Sequence, residues 1–216
     1  MTTGVNTQFD ISPLSCRGRD LDSAAMVAAR AFHNDPFFEH LDPKGVRRAR
    51  ALALFWRSEI ACLGDGARVL GARDPDGRVV GVSVWLPPGQ YPLPAMAQVR
   101  QILGAGRAMA LRPKAMVEGL RYLLAIDKAH PKEELWYLLL LAVDPSVQRG
   151  GIGARLQEEG LASADNEGLD CYLETQKTEN LVYYRRFGYD VAEELRPVEG
   201  GPPLWTMRRP CKAATL

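Results

Sequence analysis

The amino-acid sequence predicts an α/β protein, because segments typical of strands and of helices alternate through its second half. The clearest strand is Leu135–Val143, LWYLLLLAV, a nearly unbroken apolar run of the kind found in central strands covered on both faces. A buried helix is the competing interpretation, but the run is short and lies between charged Lys132–Glu134 and Asp144-Pro145, which favours a strand. The order that follows, loop, helix, strand, helix, strand, predicts a right-handed crossover.

The first half of the chain begins with simpler elements. Phe9–Cys16 alternates weakly and predicts an edge strand. Apolar residues at helical spacing then predict a helix from Leu21 to Phe32, which should stop before Pro36 because the residue preceding a proline avoids helical geometry. A second helix fits Val46–Cys62.

A β-hairpin and a helical segment complete this half. Two runs rich in β-branched residues, Arg68–Ala72 and Arg78–Leu86, flank a turn of Asp, Pro and Gly, which is the pattern of a hairpin. The stretch Leu93–Ala129 is rich in Ala, Met and Leu and predicts two helices broken at Arg112-Pro113. We expect a helical insertion at about 90–130, which is the best candidate for a feature that sets substrate choice.

Beyond the apolar strand, two helices and three strands are predicted in close succession. Gly188 should end the short helix, since glycine is the usual residue just past a helix C-terminus. The predicted elements are a helix at Ile152–Asn166, a strand at Leu169–Thr175, a short helix at Asn180–Phe187, and strands at Tyr189–Val198 and Leu204–Arg208.

The composition excludes several classes of protein. The chain has 216 residues, 46% of them hydrophobic and 25% charged, and a formal net charge of +1, which gives no reason to expect nucleic acid or an acidic membrane as a partner. No apolar run approaches the ~20 residues that a membrane span needs, and the polar N-terminus does not resemble a signal peptide. The four cysteines and three histidines form no ligand cluster, so no metal is expected. We expect a cytoplasmic protein.

A glycine-rich loop between the apolar strand and the next helix carries the chemical signal. It reads Gln148-Arg149-Gly150-Gly151-Ile152-Gly153 and follows Val143-x-Pro145. Glycines let the backbone turn tightly, and free N–H groups at a helix start, with the helix dipole, form a nest for phosphate. The loop lacks the lysine of a Walker loop, and Leu156 stands where a dinucleotide fingerprint needs its third glycine.

The pattern Gln-x-x-Gly-x-Gly after a strand resembles the acetyl-CoA signature of the GNAT superfamily. The segment from Pro131 to Arg209 is also similar to puromycin-type N-acetyltransferases, although Gly150 stands where those enzymes often carry a lysine or another polar residue. The residues that carry this similarity are Pro131-Lys132-Glu133, Trp136, Val143-x-Pro145, the loop, Leu173-Glu174-Thr175, Asn180-Leu181, Tyr184 and Phe187-Gly188-Tyr189.

The resemblance implies a GNAT fold: a mixed, twisted sheet with helices on both faces and the helical insertion before the central strand. It implies one domain over residues 1–216, with an acetyl-CoA-binding core at 131–209. The backbone of Leu141, Ala142 and Val143 should run alongside the pantetheine arm, and Asn180 should contact the cofactor near its reacting end. Gln148 should shape the loop. The residues whose backbone amides should hold the pyrophosphate are Arg149, Gly150, Gly151, Ile152, Gly153 and Ala154.

The same resemblance assigns the catalytic acid, and position in the chain suggests a second candidate. Tyr184 matches the tyrosine that protonates the departing thiolate, and a tyrosine with a pKa near ~10 is a neutral donor at pH 7. Tyr183 is its neighbour, and one of the two should belong to the core, because adjacent helical residues point ~100° apart. Glu174 ends a strand near the expected cleft. Three roles are open for it: a general base, a group that binds the substrate amine, or a structural carboxylate.

The resemblance therefore implies an enzyme that moves acetyl from acetyl-CoA directly to a primary amine of a small molecule, with a homodimer as a possible assembly. A protein or peptide N-terminus is the alternative acceptor. A CoA-binding regulatory module without turnover is the alternative from another class of protein. The acceptor, the base and the role of the insertion are left open.

Overall fold

The structure is a computed structural model, which describes residues 9–63, 66–93 and 113–212. In these residues seven strands form one sheet in the order β1-β2-β3-β4-β5-β7-β6, accompanied by six helices. The strands are β1 (Asp10–Pro13), β2 (Arg68–Arg73), β3 (Val79–Leu86), β4 (Trp136–Val143), β5 (Cys171–Thr175), β6 (Asp190–Leu195) and β7 (Leu204–Arg209). The helices are α1 (Gly18–Ala31), α2 (Pro36–Leu41), α3 (Arg48–Ala61), α4 (Pro113–Ala129), α5 (Ile152–Glu167) and α6 (Thr178–Arg185).

The sheet is mixed, which confirms the predicted α/β class. Strands β1 to β4 pair antiparallel, β4 and β5 pair parallel across the crossover helix α5, and β5, β7 and β6 pair antiparallel. The apolar run from the sequence is β4, the middle strand of the seven. The last hairpin folds so that β7 lies between β5 and β6, an order that strand spacing does not disclose.

Helices cover both faces of the sheet. This explains why apolar and polar residues alternate less in β3 than they do in a strand with one exposed face. Val84 and Leu86 belong to the core cluster that also contains residues of α1 and α3. Trp85, between them, points to the other face and packs with residues of α5, because successive side chains of a strand alternate between faces. All eight residues of β3 are buried, so both faces of this strand need apolar side chains.

The turn before Pro36 ends one helix and begins another. Helix α1 ends at Ala31, as the proline predicts, but Pro36 itself opens the short helix α2, which the sequence analysis did not anticipate. The Asp35 side chain caps α2 by accepting a hydrogen bond from the Phe37 amide at 3.0 Å. Proline fits the first turn of a helix because its missing N–H has no intrahelical partner there.

The predicted insertion is represented by α4, which starts at Pro113 as expected. The first of the two helices predicted for this segment lies outside the described residues. Helix α4 contacts α2 on the sheet face that α1 and α3 cover, and the hydroxyl of Tyr122 on α4 donates to the carbonyl of Pro202 before β7. None of the helices in the described ranges is long and apolar enough to cross a membrane.

Candidate active site

The parallel strands β4 and β5 diverge after only two residue pairs. Trp136 lies opposite Cys171 and Tyr137 opposite Tyr172, at the amino ends of both strands, and the pairing extends no further. Immediately beyond, the β3–β4 register slips so that Leu139 has no partner in β3. A bulge of this kind bends its strand and increases the local twist, which separates the carboxyl halves of β4 and β5. An opening therefore forms between neighbouring strands in the middle of the sheet.

The glycine-rich loop begins where β4 ends. The Gln148 amide donates to the carbonyl of Val143 at 3.0 Å, which ties the loop back to the strand. Arg149 has a positive φ of 66° and Gly151 a φ of 83°. Left-handed geometry at two residues so close together turns the chain sharply from β4 into α5, and glycine adopts it with little strain.

The first turn of α5 is left free to bind an anion. Gly151 occupies the cap position with no side-chain hydrogen bond, and the first turn contains no acidic residue. The amides of Ile152, Gly153 and Ala154 have no intrahelical acceptor because of their place at the helix start. A Cβ on Gly151 would meet nothing within 4 Å, so the space in front of these amides is open. This geometry fits a diphosphate group, as the sequence predicts.

The other residues predicted to contact the cofactor lie next to this loop or across the opening from it. Leu141, Ala142 and Val143 pair with β3 on one side, and their opposite edge faces the opening left by β5. Asn180 on α6 donates from its side-chain amide to the Thr175 hydroxyl at 2.8 Å. That bond fixes the end of β5 against the start of α6.

The two adjacent tyrosines of α6 have different surroundings. Tyr184 is 8% exposed and belongs to a hydrophobic cluster with Leu138 of β4 and Leu173 of β5, the strands that diverge. Burial raises its pKa above the ordinary value, so its hydroxyl is protonated at neutral pH. Tyr183 also packs inward: its buried hydroxyl has no hydrogen-bond partner and would lie 3.1 Å from a Cβ on Gly153. Burial raises the pKa of Tyr183 to about 12.

Glu174 lies on the other face of β5. Cys171 and Leu173 pack in the same cluster as Tyr184, so the alternation of the strand turns Tyr172 and Glu174 towards the face covered by α1 and α3. There the Glu174 carboxylate lies 4.0 Å from the imidazole of His130. Sequence reasoning missed His130 because it lies 44 positions before Glu174, between α4 and β4, with no motif linking the two.

Comparisons with known proteins agree with this geometry. Residues 66–191 match the acetyltransferase (GNAT) domain family. A Corynebacterium glutamicum structure described as histone acetyltransferase HPA2 and related acetyltransferase has a TM-score of 0.69 at 24% identity, covering 96% of this chain and 99% of that one.

Two further structures share the fold at lower identity. Arylalkylamine N-acetyltransferase 2 from Aedes aegypti has a TM-score of 0.63 at 11% identity, over 95% of this chain and all (100%) of its own. The PaiA N-acetyltransferase from Thermoplasma acidophilum, in complex with coenzyme A, has a TM-score of 0.56 at 14% identity, over 94% of this chain and 99% of its own. The diverging strands, the loop and the family match lead to one conclusion: this chain belongs to the GNAT acetyltransferase family.

Proposed function

We propose that this protein transfers the acetyl group of acetyl-CoA directly to a primary amine of a small molecule. The observation that carries the proposal is the opening between β4 and β5, which extends from Tyr137 to the carboxyl end of β4, where the loop to the uncapped amino end of α5 begins. An extended thioester arm can pair with the free edge of a strand while its phosphates meet a helix dipole. The GNAT family match supplies the reaction class.

We assign the cofactor contacts as follows. The amides from Arg149 to Ala154 hold the pyrophosphate, and Gln148 keeps the loop in shape through its bond to the Val143 carbonyl. The free edge of β4 at Leu141–Val143 lines the pantetheine arm, and Asn180 lies near the reacting end. When bound, acetyl-CoA supplies a thioester carbonyl that is reactive towards an amine lone pair.

Tyr184 is the proposed acid. The thiolate that leaves needs a proton, and a buried tyrosine whose pKa is raised holds that proton at neutral pH. Its position in the cluster shared by β4 and β5 supports this role. Glu174 is the proposed acceptor-side residue, because it lies on the opposite face of β5 from Tyr184. No enzyme nucleophile is needed when the acyl group passes directly to the amine.

The choice of a small-molecule acceptor rests on the similarity of residues 131–209 to puromycin-type enzymes. A peptide N-terminus is the second candidate for the acceptor. The presence of Tyr184 argues against a module that binds CoA without turnover. The single-domain organisation, a homodimer, a cytoplasmic location and the absence of nucleic-acid, membrane and metal partners stay predictions.

Release of free thiol from acetyl-CoA, measured across a panel of amines and N-terminal peptides, tests the proposal. Puromycin, simple alkylamines and arylamines should be included so that the panel separates acceptor classes. Turnover with small amines and not with peptides is the expected result. Binding of CoA without thiol release from any acceptor in the panel would refute the enzymatic function.

A further inference from the structure

A histidine–glutamate pair is buried beside the opening, and one polar atom of each side chain has no hydrogen-bond partner. Nδ1 of His130 and Oε1 of Glu174 lie 4.0 Å apart, and the two side chains are 8% and 6% exposed. Neither atom has a hydrogen-bond partner. A buried polar atom left unpaired costs about 1–3 kcal/mol, so a fold that keeps two of them together calls for a functional explanation.

Three tyrosine rings pack against the His130 ring. The His130 ring centroid lies 4.1 Å from that of Tyr91, 4.9 Å from that of Tyr137 and 5.0 Å from that of Tyr172. Tyr137 and Tyr172 are the last residues that pair β4 with β5, so the cluster lies where the two strands begin to diverge. Tyrosine rings attract cations through their negative π surfaces.

The charges that act on the three rings are predominantly negative. Burial and the Glu174 carboxylate raise the pKa of Tyr91, Tyr137 and Tyr172 above the ordinary tyrosine value, which keeps all three neutral. Asp127 and Glu59 add further negative charge at Tyr91. Surroundings made of neutral aromatic rings and carboxylates favour a cation over a neutral or anionic ligand.

We propose that this cluster binds the acceptor as an alkylammonium ion, with Glu174 and the tyrosine rings holding the cation and His130 taking its proton. The inference rests on the proposed acetyl transfer and specifies its acceptor class. An N–H of the ammonium satisfies the unpaired oxygen of Glu174, and another meets the unpaired nitrogen of His130.

The proton balance of the reaction is simple. The ammonium gives one proton to Nδ1 of His130, and the freed lone pair forms the C–N bond as the C–S bond breaks. The nitrogen then gives its second proton to the Glu174 carboxylate. Tyr184 protonates the thiolate and regains a proton from water, and His130 and Glu174 release their two protons to solvent after turnover. The products are the amide, CoA thiol and one net proton, with no oxidant or reductant required.

The test compares His130→Gln, Glu174→Gln and wild type with an alkylamine, charged at pH 7, and an arylamine, neutral at pH 7. We expect His130→Gln to lower kcat/KM by about 100-fold and to change the dependence of kcat/KM on pH. Glu174→Gln should raise the KM for the alkylamine more than the KM for the arylamine. Titration of the CoA-bound protein with the alkylamine should show the same loss of affinity without any turnover.

His40 and Glu118 form the matched control, a second histidine–glutamate contact at 3.2 Å outside the cluster. His40→Gln should keep the wild-type rate and pH profile. An unchanged rate and profile in folded His130→Gln, or the same change in His40→Gln, overturns the proposal. Equal losses for both amines in Glu174→Gln do so too. Failure of wild type to acetylate any amine is a different result, which refutes the acetyl transfer itself.

Discussion

Glutamate substitutions at the two ends of α5 separate the anion-binding role of the loop from its structural role. Gly151 precedes the helix with a φ of 83° and Gly168 follows it with a φ of 68°. A Cβ at either position would meet nothing within 4 Å. The 16-residue helix between them is about 24 Å long at ~1.5 Å per residue. The two variants therefore carry the same backbone strain at opposite poles of one helix dipole.

The expected stabilities follow from these conditions. A non-glycine residue in left-handed geometry costs roughly 1–2 kcal/mol, and this applies to both variants. A carboxylate gains about 0.3–1 kcal/mol at the amino end of a helix and loses a similar amount at the carboxyl end. Gly151→Glu should therefore be the more stable variant, by about 0.6–2 kcal/mol in the free energy of unfolding measured with urea.

Binding should change in the opposite sense. A carboxylate ~5 Å from each of two phosphate charges opposes binding by ~0.8 kcal/mol per charge even in water, which amounts to at least a ~15-fold weaker affinity. The side chain also fills the space in front of the amides. We expect calorimetric titration with CoA to show this loss for Gly151→Glu, less severe at high salt, and no change for Gly168→Glu. Unchanged CoA affinity in folded Gly151→Glu would refute the assignment of this loop as the pyrophosphate site.

The remaining predictions concern the tyrosines and the acid stability of the fold. Tyr184→Phe should lower kcat by about 100-fold with unchanged CoA affinity, whereas Tyr183→Phe should keep kcat and lose no stability, since the Tyr183 hydroxyl has no partner. The reverse pattern of kcat would assign the acid to Tyr183. Asp165 accepts two hydrogen bonds from Arg209, at 2.8 and 2.7 Å, which lower its pKa. Its stabilisation is complete above about pH 4 and is lost as pH falls, so Asp165→Asn should destabilise the protein by roughly 2 kcal/mol at pH 7 and far less at pH 2 in thermal melts.

The amino-acid sequence by itself determined the central strand and the loop that follows it. Both signals are local: the apolar run of β4 reflects burial on two faces, and the glycine spacing after it reflects a backbone turn into α5. The hairpin of β2 and β3 was predicted for the same reason, because its turn residues lie between its strands. Such features depend on residues a few positions apart, and the sequence displays them directly.

The tertiary structure decided which distant residues meet. His130 and Glu174 approach each other only because α4 ends above the point where β4 and β5 diverge, and no periodicity encodes that contact. The insertion of β7 between β5 and β6 depends likewise on how a hairpin docks on the sheet edge. The glycine-rich loop and β4 could be predicted from the sequence because short-range backbone geometry dictates them. The acceptor side of the site could not be predicted in this way, since its residues are brought together by the packing of the whole sheet.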